Sequence, residues 1–300
     1  MTTETESTMP TDIAIVDTLL GIPAADKTGA YDWLRPLLRD AESLDAFDFP
    51  VQYQYHALPD VPKDGTIDDM IDFTVEQMDK HHISKALLDV RLDADNPGRR
   101  AMERYPDRFF GGFGIDPNRG VPALRELQHA VEDLGVKAAS VTPAFVHPQC
   151  PINDKRMYPV YAKCVELDIP ILCTTGVPGP RVPMAPQDVS LIDEVCWFFP
   201  ELKFVMRHGG EPWTWLAAKL LLKWPNLYYS TSAFAPNHYP DDIVRFANTR
   251  GADKVMYAGY FPAGLSLDRI FRDMPYVPFR EHVWPKFLRE NALRVFGLDE

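Results

Sequence analysis

The stretch MYPVYAKCVELDIPILCT, residues 157–174, decides the fold. Residues 157–167 read as a helix, and residues 170–174 read as a short apolar strand of the kind buried on both faces in a parallel sheet. The same unit repeats on either side. Upstream, Thr66 with Asp69 forms a capping-box pattern, and Ile67, Met70, Ile71, Thr74, Val75 and Met78 follow at helical spacing before a strand at 85–90. A helix at 99–105 leads to a strand at 109–115, and a helix at 122–134, stopped by Gly135, leads to a strand at 138–142. Downstream, helices at 189–199, 213–223 and 241–249 precede strands at 203–207, 227–230 and 254–258, and a helical tail covers 279–296. With Ile13-Ala14-Ile15-Val16 as the first strand, the chain carries eight.

Apolar strands that alternate with helices predict a parallel sheet covered by helices, and eight units close most naturally into a TIM-like (β/α)8 barrel, an α/β fold. The competing architecture is an open, doubly wound sheet. No G-x-G-x-x-G turn follows the first strand and no Walker loop is present, so the nucleotide-binding rationale for an open sheet is missing. Residues 21–65 break the rhythm. They hold several prolines, the aromatics Tyr31, Trp33, Phe47, Phe49, Tyr53 and Tyr55, and a helix-like piece at 33–39, as expected of an insertion after strand 1 that serves as a lid or interface arm.

Three hundred residues, 46% hydrophobic and 25% charged, suit one large domain over 13–300 behind a frayed tail at 1–12. The net charge of −12, with scattered basic residues, supplies no phosphate-neutralising stripe and argues against nucleic acid as a partner. No apolar run is long enough to span a bilayer, since residues 216–222 are interrupted by Lys219; the N-terminal residues carry no apolar signal core, and a cytoplasmic location is expected. Cys150, Cys164, Cys173 and Cys196 show no C-x-x-C spacing and read as small buried hydrophobes with no disulfide.

Several short motifs carry a resemblance. Arg104-Tyr105-Pro106-Asp107-Arg108-Phe109, Leu134-Gly135-Val136-Lys137, Tyr158-Pro159-Val160-Tyr161, Asp168-Ile169-Pro170-Ile171-Leu172, His208-Gly209-Gly210 and Asn291-Ala292-Leu293-Arg294-Val295-Phe296-Gly297-Leu298 occur in the order seen in the amidohydrolase-2 family. From about Ile13 to Leu298 the chain resembles that family's decarboxylase-like branch. The resemblance implies a barrel that uses zinc or manganese to hold a carboxylated substrate. It also implies acidic or His ligands at two alternate positions ending strand 1, a His ending strand 5, a proton-handling His ending strand 6 and an Asp ending strand 8. Here those places fall on Leu19 and Gly21, on Thr174, on His208 and on Tyr260. One histidine with Thr and Tyr hydroxyls does not make the three-ligand set a catalytic zinc needs, so neither a metal nor another cofactor is expected.

In a barrel the chemistry sits at the carboxyl ends of the strands. His208, on a glycine-lined turn, is the candidate general acid/base, and Glu211 either orients it or simply caps the helix beginning at Trp213. Tyr260 either donates a hydrogen bond to a substrate oxygen or fills the volume a metal would take. Thr174 and Thr175 are candidates for holding a carboxylate, as are Arg91 and Arg181; against this, β-branched residues at a buried strand end commonly just pack. By alternation Arg207 points opposite to His208, toward the helices, Cys173 faces away from the axis if Thr174 faces it, and Asp17 shares the barrel-facing side with Leu19 to brace a neighbouring hydroxyl or amide.

The expected function is metal-independent hydrolysis or carbon–carbon bond lysis, decarboxylase-like, of a small carboxylated or cyclic compound. The alternative is an inactive paralogue that binds a small ligand or partners an active relative. A rebuilt metal site using Asp17, His208 and His56 is the third possibility. A homodimer or larger homo-oligomer is expected from the resemblance and the aromatic insertion.

Overall fold

The computed structural model describes residues 8–24, 29–45, 51, 54, 58 and 61–299. Its centre is a curled eight-stranded parallel sheet whose strands follow chain order, as a TIM barrel requires. These are β1 (Ile15–Asp17), β2 (Ile83–Val90), β3 (Phe109–Gly114), β4 (Ala138–Val141), β5 (Ile171–Thr174), β6 (Phe204–Arg207), β7 (Leu227–Ser230) and β8 (Val255–Met256). Between β8 and β1 the ring is joined by individual bonds. The Thr18 amide and hydroxyl both donate to Tyr257 O, at 3.3 and 2.8 Å, and the Gly259 amide donates to Asp17 Oδ1 at 2.8 Å.

Each strand sends one side chain to a common inner layer, made of Val16, Leu87, Phe110, Ala138, Leu172, Val205, Tyr228 and Met256. The layer mixes large and small residues, so Phe110 and Tyr228 take up the room that Ala138 leaves. Its floor is the helix Asn291–Phe296, which adds Ala292, Val295 and Phe296 and sets the Phe296 ring against Phe110, tilted, at 5.4 Å. The alternate residues, among them Leu88, Val90, Ile171, Cys173, Phe204, Met206, Tyr229 and Tyr257, face the helices. Cys173 therefore points away from the axis, as expected.

The outer helices form for local reasons. Thr66 accepts from the Asp69 amide at 3.2 Å while Asp69 accepts from the Thr66 amide at 2.7 Å, and this reciprocal cap starts the helix Ile67–Lys80. Met70, Ile71, Thr74, Val75 and Met78 are its buried face. Three expectations are corrected. The piece at 33–39 is a 3-10 helix, Asp32–Leu37, because Pro36 lies inside it and cannot donate to an α-helical ladder. The tail at 279–296 is broken into a 3-10 turn, Glu281–Val283, a π-helical stretch, Lys286–Glu290, and the floor helix. A helix follows β8 at Leu267–Asp273, capped by the Ser266 hydroxyl, where none was expected.

Of the insertion's aromatics, Phe47, Phe49, Tyr53 and Tyr55 lie outside the described residues, as does His56. The described part reaches the loops that follow β4 and β5. Trp33 meets Phe145 edge to face at 5.6 Å, and Arg181 Nη1 bonds Asp40 at 2.9 Å and Glu42 at 2.7 Å.

Candidate functional site at the carboxyl ends of the strands

One step beyond the apolar inner layer, alternation places Thr18, Asp89, Gly112, Ser140, Thr174, Arg207 and Ser230 around the lumen. A ring of small, polar and charged groups thus sits on an apolar plug. Thr174 lies beside Arg207 in the β5–β6 register, and its hydroxyl is 3.0 Å from that of Thr142. The hydroxyls of Thr18 and Ser230 are 3.5 Å apart. Asp89 stands at the edge of a cavity of about 570 Å³ that Arg91, Ser140, Thr142, Phe145 and Trp33 also line. Gly114 keeps that region open: a β-carbon there would lie 3.6 Å from Asp89 Oδ1 and 3.9 Å from Ser140 Oγ.

Arg207 does not point toward the helices. It follows the inner residue Val205 on β6, so its side chain enters the lumen. Alternation from His208 misleads because β6 ends at Arg207, and His208 takes φ 62°, a left-handed conformation that breaks the two-residue period. The guanidinium makes no hydrogen bond or ion pair with a described residue, and its Nε is buried without a partner. Burial lowers its pKa, opposed by the charge of Asp89, which is close enough to be felt but forms no ion pair.

His208 to Gly210 are three consecutive left-handed residues, with φ of 62°, 84° and 70°. The middle position tolerates only glycine, since a β-carbon on Gly209 would lie 2.2 Å from the Phe234 ring. Holding His208 there costs about 1 kcal/mol, and the turn is fastened by the His208 amide on Ser232 Oγ at 3.0 Å and the Tyr229 hydroxyl on Gly209 O at 2.9 Å. The imidazole meets the Tyr260 ring edge to face at 5.3 Å, and Nδ1 is buried without a partner. Burial, aided by the Arg207 charge, pushes the His208 pKa down to about 3, so the ring is neutral near pH 7.

Asp17 also departs from expectation. It is out of phase with the inner residue Val16 and lies in the seam between β1 and β8, completely buried. Its Oδ1 accepts from the Leu19 amide at 2.9 Å and the Gly259 amide at 2.8 Å. Its Oδ2 lies beside the Tyr257 hydroxyl, near enough to be stabilised by it but short of a well-formed hydrogen bond, and both atoms are otherwise unpaired. Burial raises the Asp17 pKa to about 7 against the pull of the Gly259 and Leu19 amides. The carboxylate thus serves the seam and does not open on the lumen.

The remaining candidates separate. Thr174 is in the ring, whereas Thr175 is buried and its hydroxyl donates to Arg207 O at 3.1 Å. Arg91 is exposed at the cavity edge, with Nε 3.7 Å from Asp89. Arg181 is held by Asp40 and Glu42 beside the insertion. Glu211 is exposed, and its carbonyl accepts from the Val177 amide at 2.8 Å. Sequence reasoning missed Asp89, Ser140 and Thr142 as lumen residues. Counting in twos from a correctly placed Leu87 would have found Asp89.

The chain belongs to the amidohydrolase-2 family, whose model, described as amidohydrolase, matches residues 49–298. It is similar to 2-keto-4-carboxy-3-hexenedioate hydratase of a Sphingobium species, at 27% identity over 39% of this chain. That match spans 40% of the hydratase's own length. Among solved structures it is similar to an uncharacterised TIM-barrel protein from Bordetella bronchiseptica, with TM-score 0.73 and 22% identity over 95% of this chain and 99% of the other. It is also similar to 5-carboxyvanillate decarboxylase of Novosphingobium aromaticivorans in complex with manganese and 4-hydroxy-3-methoxy-5-nitrobenzoic acid, with TM-score 0.68 and 18% identity over 96% and 97% of the two chains. The donor set that the described residues bring to the lumen does not fit such a cation. Among the described residues no three His, Cys, Asp or Glu side chains converge, and a guanidinium projects into the space beside His208. No described helix is long and apolar enough to cross a membrane.

Proposed function

We propose that the protein is a hydrolase or carbon–carbon lyase that acts on a small carboxylated compound, cyclic or aromatic, without a metal ion, with His208 as the proton-handling group and Tyr260 as the donor to a substrate oxygen. The observation that carries this is the placement of His208: it follows β6 directly on a strained glycine turn, beside Tyr260, with a buried ring nitrogen that no described residue uses. Backbone strain and unpaired polar atoms gather where a ligand completes the site. The family and the names of its hydratase and decarboxylase relatives support substrates rich in carboxylates.

The chemistry asked of His208 is modest. In hydration or hydrolysis a neutral imidazole takes a proton from water as the water attacks. In decarboxylation the carbon–carboxyl electron pair stays on the substrate carbon, which then needs a proton from a neighbouring acid. Either step works better once a bound anion neutralises the charge of Arg207, because that charge is one of the two causes holding His208 neutral. The depressed pKa also supports a second reading, a barrel that binds a carboxylated ligand without turning it over, since a histidine at about 3 is a weak base.

The test pairs metal analysis of protein purified without chelator with turnover on a panel of hydroxybenzoates, 5-carboxyvanillate and unsaturated tricarboxylates. Turnover without stoichiometric metal, lost by at least about a hundredfold in His208→Ala while the melting curve stays cooperative, is the expected result. Stoichiometric zinc or manganese required for turnover overturns metal independence. Binding without turnover across the panel favours the second reading.

A further inference from the structure

The lumen has two charged walls. Arg207 enters from β6 with a buried, unpartnered Nε, and Asp89 enters from β2 on the wall that holds the cavity. The two sense each other's charge without closing an ion pair, and Asp89 turns instead toward Arg91 at 3.7 Å. On the wall between β2 and β6 stand the hydroxyls of Ser140, Thr142 and Thr174, with the bare backbone of Gly114 beside Asp89. A guanidinium taken from water and left unpaired is costly, and the cost is recovered when a planar anion docks on its donors. A carboxylate across the same space repels a second anion and accepts from a hydroxyl.

We infer that Arg207 and Asp89 form a two-ended recognition site for a small hydroxy-carboxylate, with the ligand's carboxylate on the Arg207 guanidinium beside the Thr174 hydroxyl and its hydroxyl donating to Asp89. The inference rests on the barrel mouth being the ligand site, as in the proposed function, but does not require turnover. It makes Arg207 the residue that selects for an anionic head, and it places that head near His208 and Tyr260, both of which are close enough to share an electrostatic interaction with the guanidinium. Asp89 sets selectivity at the far end.

Titration calorimetry with 4-hydroxybenzoate, its neutral counterpart 4-hydroxybenzamide and plain benzoate tests both ends. The unmodified protein is expected to prefer 4-hydroxybenzoate over the amide by about tenfold to a hundredfold, the range a charge-assisted hydrogen bond is worth. Arg207→Gln should erase that preference and Arg207→Lys should keep part of it, with a cooperative melt in each showing that the barrel still folds. Asp89→Ala should keep the preference for the carboxylate but lose most of the discrimination between 4-hydroxybenzoate and benzoate. An unchanged preference in folded Arg207→Gln, or no binding of 4-hydroxybenzoate to the unmodified protein at millimolar concentration, overturns the inference. Because no turnover is read, carboxylate discrimination in a protein without activity would sink the enzymatic reading and leave this site standing.

Discussion

The β8–β1 seam and the β6 mouth each hold an ionisable side chain with a buried polar atom that lacks a partner, Asp17 Oδ2 and Arg207 Nε, yet the two are built differently. In the seam, Asp17 is sealed: two backbone amides hold one oxygen, Tyr257 lies against the other, and no space remains beside it. In the mouth, Arg207 has the Thr174 hydroxyl on the neighbouring strand and, close enough for its charge to be felt, the Asp89 carboxylate, which lines a cavity. A buried ionisable group is therefore not by itself a site. What separates the two is room: the sealed group shifts its pKa to lose its charge, while the open one keeps its charge and waits for a counter-charge.

The contrast breaks most sharply at Gly259, where an added β-carbon would lie 2.5 Å from Asp17 Oδ2. Gly259→Ala should cost about 1–3 kcal/mol of stability, read as a lower midpoint in urea unfolding; an unchanged midpoint would mean the seam is not sealed. The next largest effect is a pH dependence. The folded Asp17 pKa, about 7, lies above its ordinary 3.8, so the seam is fully stable below that ordinary value and loses stability as pH rises toward about 7. Asp17→Asn keeps an acceptor for both amides and removes the charge. It should flatten this dependence and stabilise the protein at pH 8, by an amount on the order of a few kcal/mol at most; a steeper profile in the variant would contradict the assignment.

His208 has the opposite sign. Its folded pKa, about 3, lies below its ordinary 6.5, so its contribution is fully present above 6.5 and is lost as pH falls toward 3. Thermal melts of His208→Gln should decline less than those of the unmodified protein over that window, and an identical decline would show that another group controls acid sensitivity. The smallest change belongs to Arg207→Met. Removing an unpaired charge from the open mouth should leave the unfolding free energy within about 1 kcal/mol or raise it slightly, in contrast to the seam. A large loss of stability would recast Arg207 as structural.

The barrel was legible because its signal is repetitive. Eight apolar runs separated by helical segments survive an error of one or two residues at any boundary, and the Thr66–Asp69 cap could be read from four letters. The site was legible in its place but not in its directions. Alternation puts Asp17 on the axis, but the first strand is only three residues long and its pairing shifts register between Ile15 and Val16, too short and irregular for counting in twos. Alternation from His208 turns Arg207 outward, but His208 is no longer in strand conformation. Alternation is a property of regular backbone, and functional residues sit where regular backbone ends.

The last helix carries a consequence for biosynthesis. Phe296 and its neighbours close one end of the barrel from a position that follows all eight strands, and Asn291 Nδ2 ties the plug to Ala252 O at 2.7 Å and Val255 O at 2.8 Å. A nascent polypeptide still tethered to the ribosome at that point has all eight strands available but an interior open to water. Folding to the dry state must therefore wait for synthesis of the helix Asn291–Phe296, and removing it would leave a wet, aggregation-prone ring instead of a slightly smaller barrel.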